Sequence, residues 1–238
     1  MSSSHVNDRL FSTTMTPSSS RTGVILLGPT GAGKTPLGES LSAWGHGRWR
    51  FHHFDFGHWL RIVISDQESQ CLFDDEERHL VADILASGRL LKDEEFFIAD
   101  RLLQSFLSAL SHESDRKEVI ILNGLPRTLF QAERIIRLLP IQLVINLQCT
   151  LDVVFERIRS NVGGDRTGRD DDLESLVAKK YCLYESETRP LVDYYRGLGI
   201  PVVSLAVTTT TTAEELRDQF LDRWSKLFEG TRSKTSMC

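Results

Sequence analysis

Apolar residues along this chain fall into short runs separated by longer stretches in which they recur every three or four residues. Val24–Leu27, Val119–Leu122 and Leu143–Leu147 are almost wholly apolar, and Pro201–Leu205 is nearly so. Runs this short, bounded by glycine, proline or polar residues, predict strands buried on both faces. Trp49–Phe54 is more mixed and is a further strand candidate. Helical periodicity covers Lys34–Ser42, several segments between Gly57 and about Leu110, then Leu129–Leu138, Leu151–Ile158, Leu173–Leu198 and Ala213–Leu227. Strands alternating with helices predict an α/β fold: a five-stranded parallel sheet with helices on both faces. Ligands of such sheets bind at the carboxyl ends of the strands.

The two ends break this pattern. Residues 1–21 are rich in Ser and Thr and too poor in apolar groups to offset the entropy of ordering, so they predict a mobile tail. Leu10-Phe11 is too short for a secretory signal, whereas Arg9 and Arg21 among hydroxyl residues leave an organelle-targeting role open. The expected domain is 22–228, with a second flexible tail over 229–238. Thr208–Thr212 lies between a strand and a helix and reads as a loop.

Composition narrows the class. The 238 residues carry 28 Lys and Arg against 33 Asp and Glu, a net charge of −5, which argues against a nucleic-acid partner. A hydrophobic fraction of 40% excludes wholesale disorder. No run approaches the roughly 18–20 apolar residues that span a bilayer, so no membrane partner is expected. Cys71, Cys149, Cys182 and Cys238 are scattered without a CxxC pair, which favours a reducing compartment, the cytoplasm, over a disulfide framework. The histidines of the Trp44–Trp59 stretch (His46, His52, His53, His58) read as structural, because neighbours on a strand point to opposite faces.

Gly28-Pro29-Thr30-Gly31-Ala32-Gly33-Lys34-Thr35 matches G-x-x-x-x-G-K-[ST] between a predicted strand and a predicted helix. Glycines let the backbone curl its N–H groups around a phosphate, and the helix turns its positive end to the same point. Lys34 adds a mobile charge, and the Thr35 hydroxyl suits magnesium. Pro36 sits in the first helical turn, where a missing N–H costs little. The loop identifies a nucleotide phosphate without distinguishing motor, switch or kinase.

Four further segments resemble the adenylate kinase-like nucleoside monophosphate kinases. Asn123-Gly124-Leu125-Pro126-Arg127-Thr128-Leu129-Phe130-Gln131-Ala132 is similar to D-G-F-P-R-T-x-x-Q-A. Gly168–Asp172, with Thr188, Pro190 and Tyr194-Tyr195 beyond it, resembles G-R-x-D-D and T-x-P-x-x-x-Y-Y. Gly57–Arg61 resembles G-D-x-L-R, and Ser87–Glu94 resembles A-G-K-L-V-x-D-E. With the loop they run in family order over about residues 22–225. The resemblance implies a P-loop NTPase fold with a helical monophosphate-binding insertion at about 57–91 and a short lid at about 161–169. It implies a monomeric enzyme moving the terminal phosphoryl of ATP to a nucleoside monophosphate, AMP by default, with Mg2+.

By that resemblance Gly28, Thr30, Gly31, Ala32, Gly33, Lys34, Thr35 and Arg157 would bind ATP. Gly57, Arg61, Leu91, Gly124, Arg127 and Gln131 would bind the monophosphate. Lys34, Arg127, Arg169 and Lys180 would act on the transferring group, with Arg166 as a further lid cation. Magnesium would meet Thr35 directly and Asn123 through water. Departures accompany these matches. Asn123 stands where the family has an aspartate and should weaken the metal shell. Phe56 replaces a threonine beside the acceptor adenine. Lys180 and Asn161 replace arginines, and Thr35-Pro36 ends the loop differently. A nucleotide-binding pseudokinase is therefore the alternative reading. A phosphotransferase for another acceptor fits less well, since Arg61 and Arg127 suit a phosphate.

Overall fold

The computed structural model describes residues 21–44, 48–65, 72–110, 116–165 and 173–228. Both tails, His46, Cys71, Arg166 and Gly168–Asp172, Arg169 among them, lie outside the described residues. Five strands, β1 (Arg21–Leu27), β2 (Trp49–Asp55), β3 (Lys117–Asn123), β4 (Ile141–Gln148) and β5 (Val202–Ala206), form one sheet in the order β2-β3-β1-β4-β5. Every pairing is parallel. Arg21 is part of β1 rather than of the tail: its guanidinium meets Glu118 at 2.7 Å, both side chains buried, and donates to the carbonyls of Leu107 and Leu110.

Because successive strand residues face opposite ways, the apolar runs feed two cores. Ile25, Leu27, Ile120 and Leu122 join one cluster; Val24, Leu26, Val119 and Ile121 join the other. The first is closed by α2 (Phe56–Ser65), α3 (Asp75–Ser87), α4 (Phe96–Ala109), α5 (Leu129–Leu138) and α8 (Leu191–Gly197). The second is closed by α1 (Lys34–Ala43) and α9 (Ala213–Phe228), whose Phe220 and Trp224 meet Phe51 edge-on at 5.7 and 5.5 Å. The remaining helices, α6 (Leu151–Ser160) and α7 (Glu174–Leu183), flank the carboxyl end of β4 and lead to the lid side.

Local chemistry sets the helix ends. Asp74 accepts from the Glu77 N–H at 2.8 Å while Glu77 accepts from the Asp74 N–H at 3.1 Å, a reciprocal cap that starts α3. Gly88, at φ 63°, ends it. Thr212 and Glu215 cap α9 in the same reciprocal manner, whereas Thr128 caps α5 one way, accepting from the Gln131 N–H. The periodicity over Leu173–Leu198 is not one helix. It is broken by a wide π turn at Tyr184–Thr188, where the Arg189 N–H reaches back to the Tyr184 carbonyl at 2.8 Å. Two anchors hold that turn: the Tyr184 hydroxyl donates to Asn146 Oδ1 at 3.1 Å, and Thr188 Oγ1 donates to the Arg127 carbonyl at 3.0 Å.

His52 and His53 do point apart. His52 lies 3.7 Å from Glu118, while the His53 ring fills the space above Gly38 of α1. A Cβ at Gly38 would come within 2.3–2.7 Å of that ring, so glycine is what lets α1 approach β2 here. Gly38→Ala is expected to destabilise the fold by about 1–3 kcal/mol through overpacking. Adding His53→Ala should recover part of that loss, so the double substitution costs less than the sum. Denaturant unfolding of the four proteins checks this, and an unchanged Gly38→Ala midpoint would contradict it.

Candidate active site

The phosphate loop leaves β1 at Leu27 and enters α1 at Lys34. Gly28, Gly31 and Gly33 all have positive φ, at 149°, 77° and 92°. At Gly28 a Cβ would also sit 2.9 Å from the Leu147 carbonyl oxygen, so the tight curl demands glycine twice over. The Lys34 ammonium donates to the carbonyls of Gly28 and Pro29 at 2.7 and 2.6 Å, across the mouth of the loop.

One cavity joins this loop to the other expected residues. Gly28, Thr30, Gly31, Gly33, Lys34, Thr35 and Arg157 line it on one side, and Gly57, Arg61, Leu91, Gly124, Arg127 and Gln131 on the other. Asn123 and Lys180 line it too. Ala32 is fully buried beneath the loop and does not line it.

Arg61 on α2 and Arg127 after β3 are half-buried. Neither guanidinium has a hydrogen bond to a described residue. Burial pushes the Arg127 guanidinium below its ordinary pKa, opposed by the negative charge of Asp55. An anion between the two would relieve that desolvation. The Arg127 backbone, by contrast, is held at both ends: its N–H donates to Gln131 Oε1 at 2.8 Å and its carbonyl accepts from Thr188. Gln131 is 2% exposed, and its side-chain carbonyl oxygen is occupied by that bond. Phe56 is 7% exposed and packs in the first core cluster while still lining the cavity.

Arg157 of α6 is 4% exposed and serves the loop from below. Its Nε donates to the Gly31 carbonyl at 3.0 Å, and Nη1 donates to the carbonyls of Thr208 and Thr211, both at 2.8 Å. The polar Thr208–Thr212 run is thus tied to the phosphate loop through one guanidinium. This connection has no signature in the sequence, because it joins three segments far apart along the chain. On the lid side the described turn after α6 starts at Asn161, at φ 47°, and brings Asp165 to the cavity. Lys180 of α7 lies against Gly88, and Lys179 donates to the Ser87 carbonyl at 3.1 Å, so α7 meets the end of α3 over the cavity.

The sequence reading missed Asp55. It is the last residue of β2 and the register partner of Asn123. Its Oδ2 accepts from Thr35 Oγ1 at 2.6 Å and from Asn123 Nδ2 at 2.8 Å, and its Oδ1 accepts from the His58 N–H at 3.0 Å. Burial pushes this carboxyl up. The Thr35 and His58 donors, with the positive charge of Arg61, outweigh that and hold it below the usual carboxylate range. The signal available in the sequence was an acidic residue directly after the Trp49–Phe54 strand candidate; its place beside Asn123 comes from the β2–β3 pairing.

A loop built for polyphosphate, facing two guanidiniums with no hydrogen bond to a described residue across a shared cavity, defines a P-loop nucleotide phosphotransferase. The relatives agree. The chain is 31% identical to an adenylate kinase of Corynebacterium urealyticum over 179 residues, 73% of this chain and 86% of that protein. It is 31% identical to one of Prochlorococcus marinus, covering 75% and 86% of the two chains. One of Porphyromonas gingivalis is 30% identical, over 81% and 90%. No family model matches the chain. The chain belongs to the adenylate kinase family.

Removing the Arg157 tie tests whether the loop depends on it. Arg157→Met would strip donors from three carbonyls and should lower stability by about 2–4 kcal/mol. It should also weaken ATP at least about tenfold, a loss of roughly 1.4 kcal/mol. Arg159→Met, on the exposed side of the same helix, should change neither. Calorimetric ATP titrations and thermal unfolding check both, and equal behaviour of the two variants would contradict the assignment.

Proposed function

We propose that the protein transfers the terminal phosphoryl group of ATP to a nucleoside monophosphate, AMP being the default acceptor. The observation that carries this reading is the pairing in one cavity of a complete phosphate loop with Arg61 and Arg127, two guanidiniums lacking hydrogen bonds to described residues. Phosphoryl transfer between two polyanions needs positioning and charge neutralisation more than covalent chemistry. In this reading the glycine-rich loop, Lys34 and Arg157 place the donor. Arg61 and Arg127 grip the acceptor phosphate in bidentate fashion, and Gln131 addresses the base, with Gly57, Leu91 and Gly124 offering backbone groups. Lys180, and Arg169 from the lid, would close over the transferring group. That closure excludes water, which would otherwise take the phosphoryl in place of the acceptor.

The donor set at the loop fits magnesium. Thr35 presents a hard hydroxyl oxygen, and the neighbouring carboxylate and amide suit bound water, as a small octahedral cation requires. Mg2+ with ATP would neutralise charge on the phosphates, held by Thr35, with Asn123 beside it through water. No described helix is long and apolar enough to cross a membrane. Cytoplasmic location and a monomeric state belong to this proposal. No observation favours the pseudokinase alternative.

Transfer rates measured for AMP, GMP, CMP, UMP and dTMP test the reading; it fails if none is phosphorylated. Lys34→Ala should lower turnover by about 100–1,000-fold, the scale of losing one preorganised charge at the transition state. Arg127→Ala should weaken the monophosphate at least about tenfold, roughly 1.4 kcal/mol, while leaving ATP nearly unchanged. Separate titrations of the two nucleotides check the division, and equal weakening of both would contradict it.

A further inference from the structure

We infer that Asp55 supplies the carboxylate that holds a hydrated divalent cation on the donor's phosphates, and that Asn123 is the residue that positions it. The inference rests on the kinase reading above and assigns the charge in its metal site to a strand where the family motif does not put it.

Three observations carry it. First, Asp55 sits at the phosphate loop itself: its Oδ2 is 2.6 Å from the Thr35 hydroxyl oxygen. The rest of the cavity's charge is mainly cationic, with Lys34, Arg61, Arg127, Arg157 and Lys180 all lining it. A carboxylate among groups arranged for a polyanion repels that anion unless a cation stands between them. Second, the hydrogen bonds leave the right atoms facing outward. Thr35 donates its proton to Asp55 and accepts from Asn123, so one lone pair remains for a cation, and Asp55, with three donors on its two oxygens, keeps a further acceptor site for metal-bound water. Third, Asn123 fits this arrangement as an amide and not as an acid. Its NH2 lies 2.8 Å from Asp55 Oδ2 and 3.0 Å from Thr35 Oγ1, clamping both. A carboxylate in its place would face Asp55 at the same separation, and two such groups cannot both ionise readily.

The bond from the His58 N–H shows that Asp55 also caps α2 through Oδ1. Capping occupies one oxygen and does not account for the other, which is turned to the loop. Asp55 and Asn123 are register partners on adjacent parallel strands. The acid and the amide therefore occupy neighbouring strand ends, and exchanging them keeps one carboxylate next to Thr35. The expectation that Asn123 leaves this metal shell short of charge changes accordingly: the charge is one strand over.

Calorimetric binding of ATP, with Mg2+ and separately with chelator, gives a metal preference for each protein that does not depend on turnover. Wild type should bind MgATP more tightly than metal-free ATP. Asp55→Asn should weaken MgATP at least about tenfold, the lower end for losing a partner of a metal shell. Metal-free ATP should bind that variant as well as wild type or better. In the double variant Asp55→Asn/Asn123→Asp the carboxylate moves to the neighbouring strand, and the metal preference should return to within about threefold of wild type, a residue of under 1 kcal/mol. A purely structural role predicts otherwise: equal weakening of both forms in Asp55→Asn and no rescue by the double variant. Either result, or an unchanged metal preference in Asp55→Asn, overturns the assignment while leaving the kinase reading intact. Failure of wild type to bind ATP in either form would overturn the kinase reading and this assignment with it.

Discussion

Parallel register is the constraint on which the site depends. Leu26 pairs with Asn123, and Asn123 pairs with Asp55, so three strands end nearly level. The residues that follow them, the phosphate loop after β1, α2 after β2 and the Gly124–Arg127 turn after β3, are therefore delivered to one place. None of these segments could assemble the cavity alone. The two-sided core makes the register hard to slip, because a one-residue shift would send Val24 and Leu26 to the wrong face.

Electrostatics then divides the cavity by how each charge is held. Arg21 and Arg157 are buried cations: Arg21 donates to Glu118 and two carbonyls, and Arg157 donates through Nε and Nη1 to three carbonyls while its Nη2 lies beside Gly33 of the loop. They brace the framework at opposite ends of the sheet. Arg61 and Arg127 are only half-buried, and their charges are balanced at a distance by Asp55 instead of by direct protein hydrogen bonds. Their desolvation is compensated when a phosphate arrives, which is how a binding site stays selective for anions without being anchored to its own scaffold. Asp55 sits between the two functions, fixed by Thr35, Asn123 and the start of α2.

Much of this was readable from the chain. Four continuous apolar runs marked four strands, and in the mixed Trp49–Phe54 strand the two histidines face Glu118 and α1 while Arg50 stays exposed. The bounds of α5 were legible because Thr128 and Pro140 punctuate them. The phosphate loop, Arg61, Arg127, Gln131 and Lys180 were legible because local motifs encode them, and they line a common cavity. What escaped depends on register or on distant contacts. Asp55 gains its meaning only from the β2–β3 pairing. Arg157 was legible as a cation for the donor side, but its bonds to Gly31, Thr208 and Thr211 join distant segments and appear only in the folded chain. The periodicity over Leu173–Leu198 could not reveal a π turn, since its cause lies in Asn146 and Arg127 on other segments.

The central claim is that one cavity moves a phosphoryl group between two bound nucleotides and not to water. Phosphorus NMR of wild-type protein with equal ATP, AMP and Mg2+ reads this directly. The account requires both nucleotides to convert to ADP until equilibrium, with little inorganic phosphate formed. Release of inorganic phosphate at the same rate with and without AMP would contradict it.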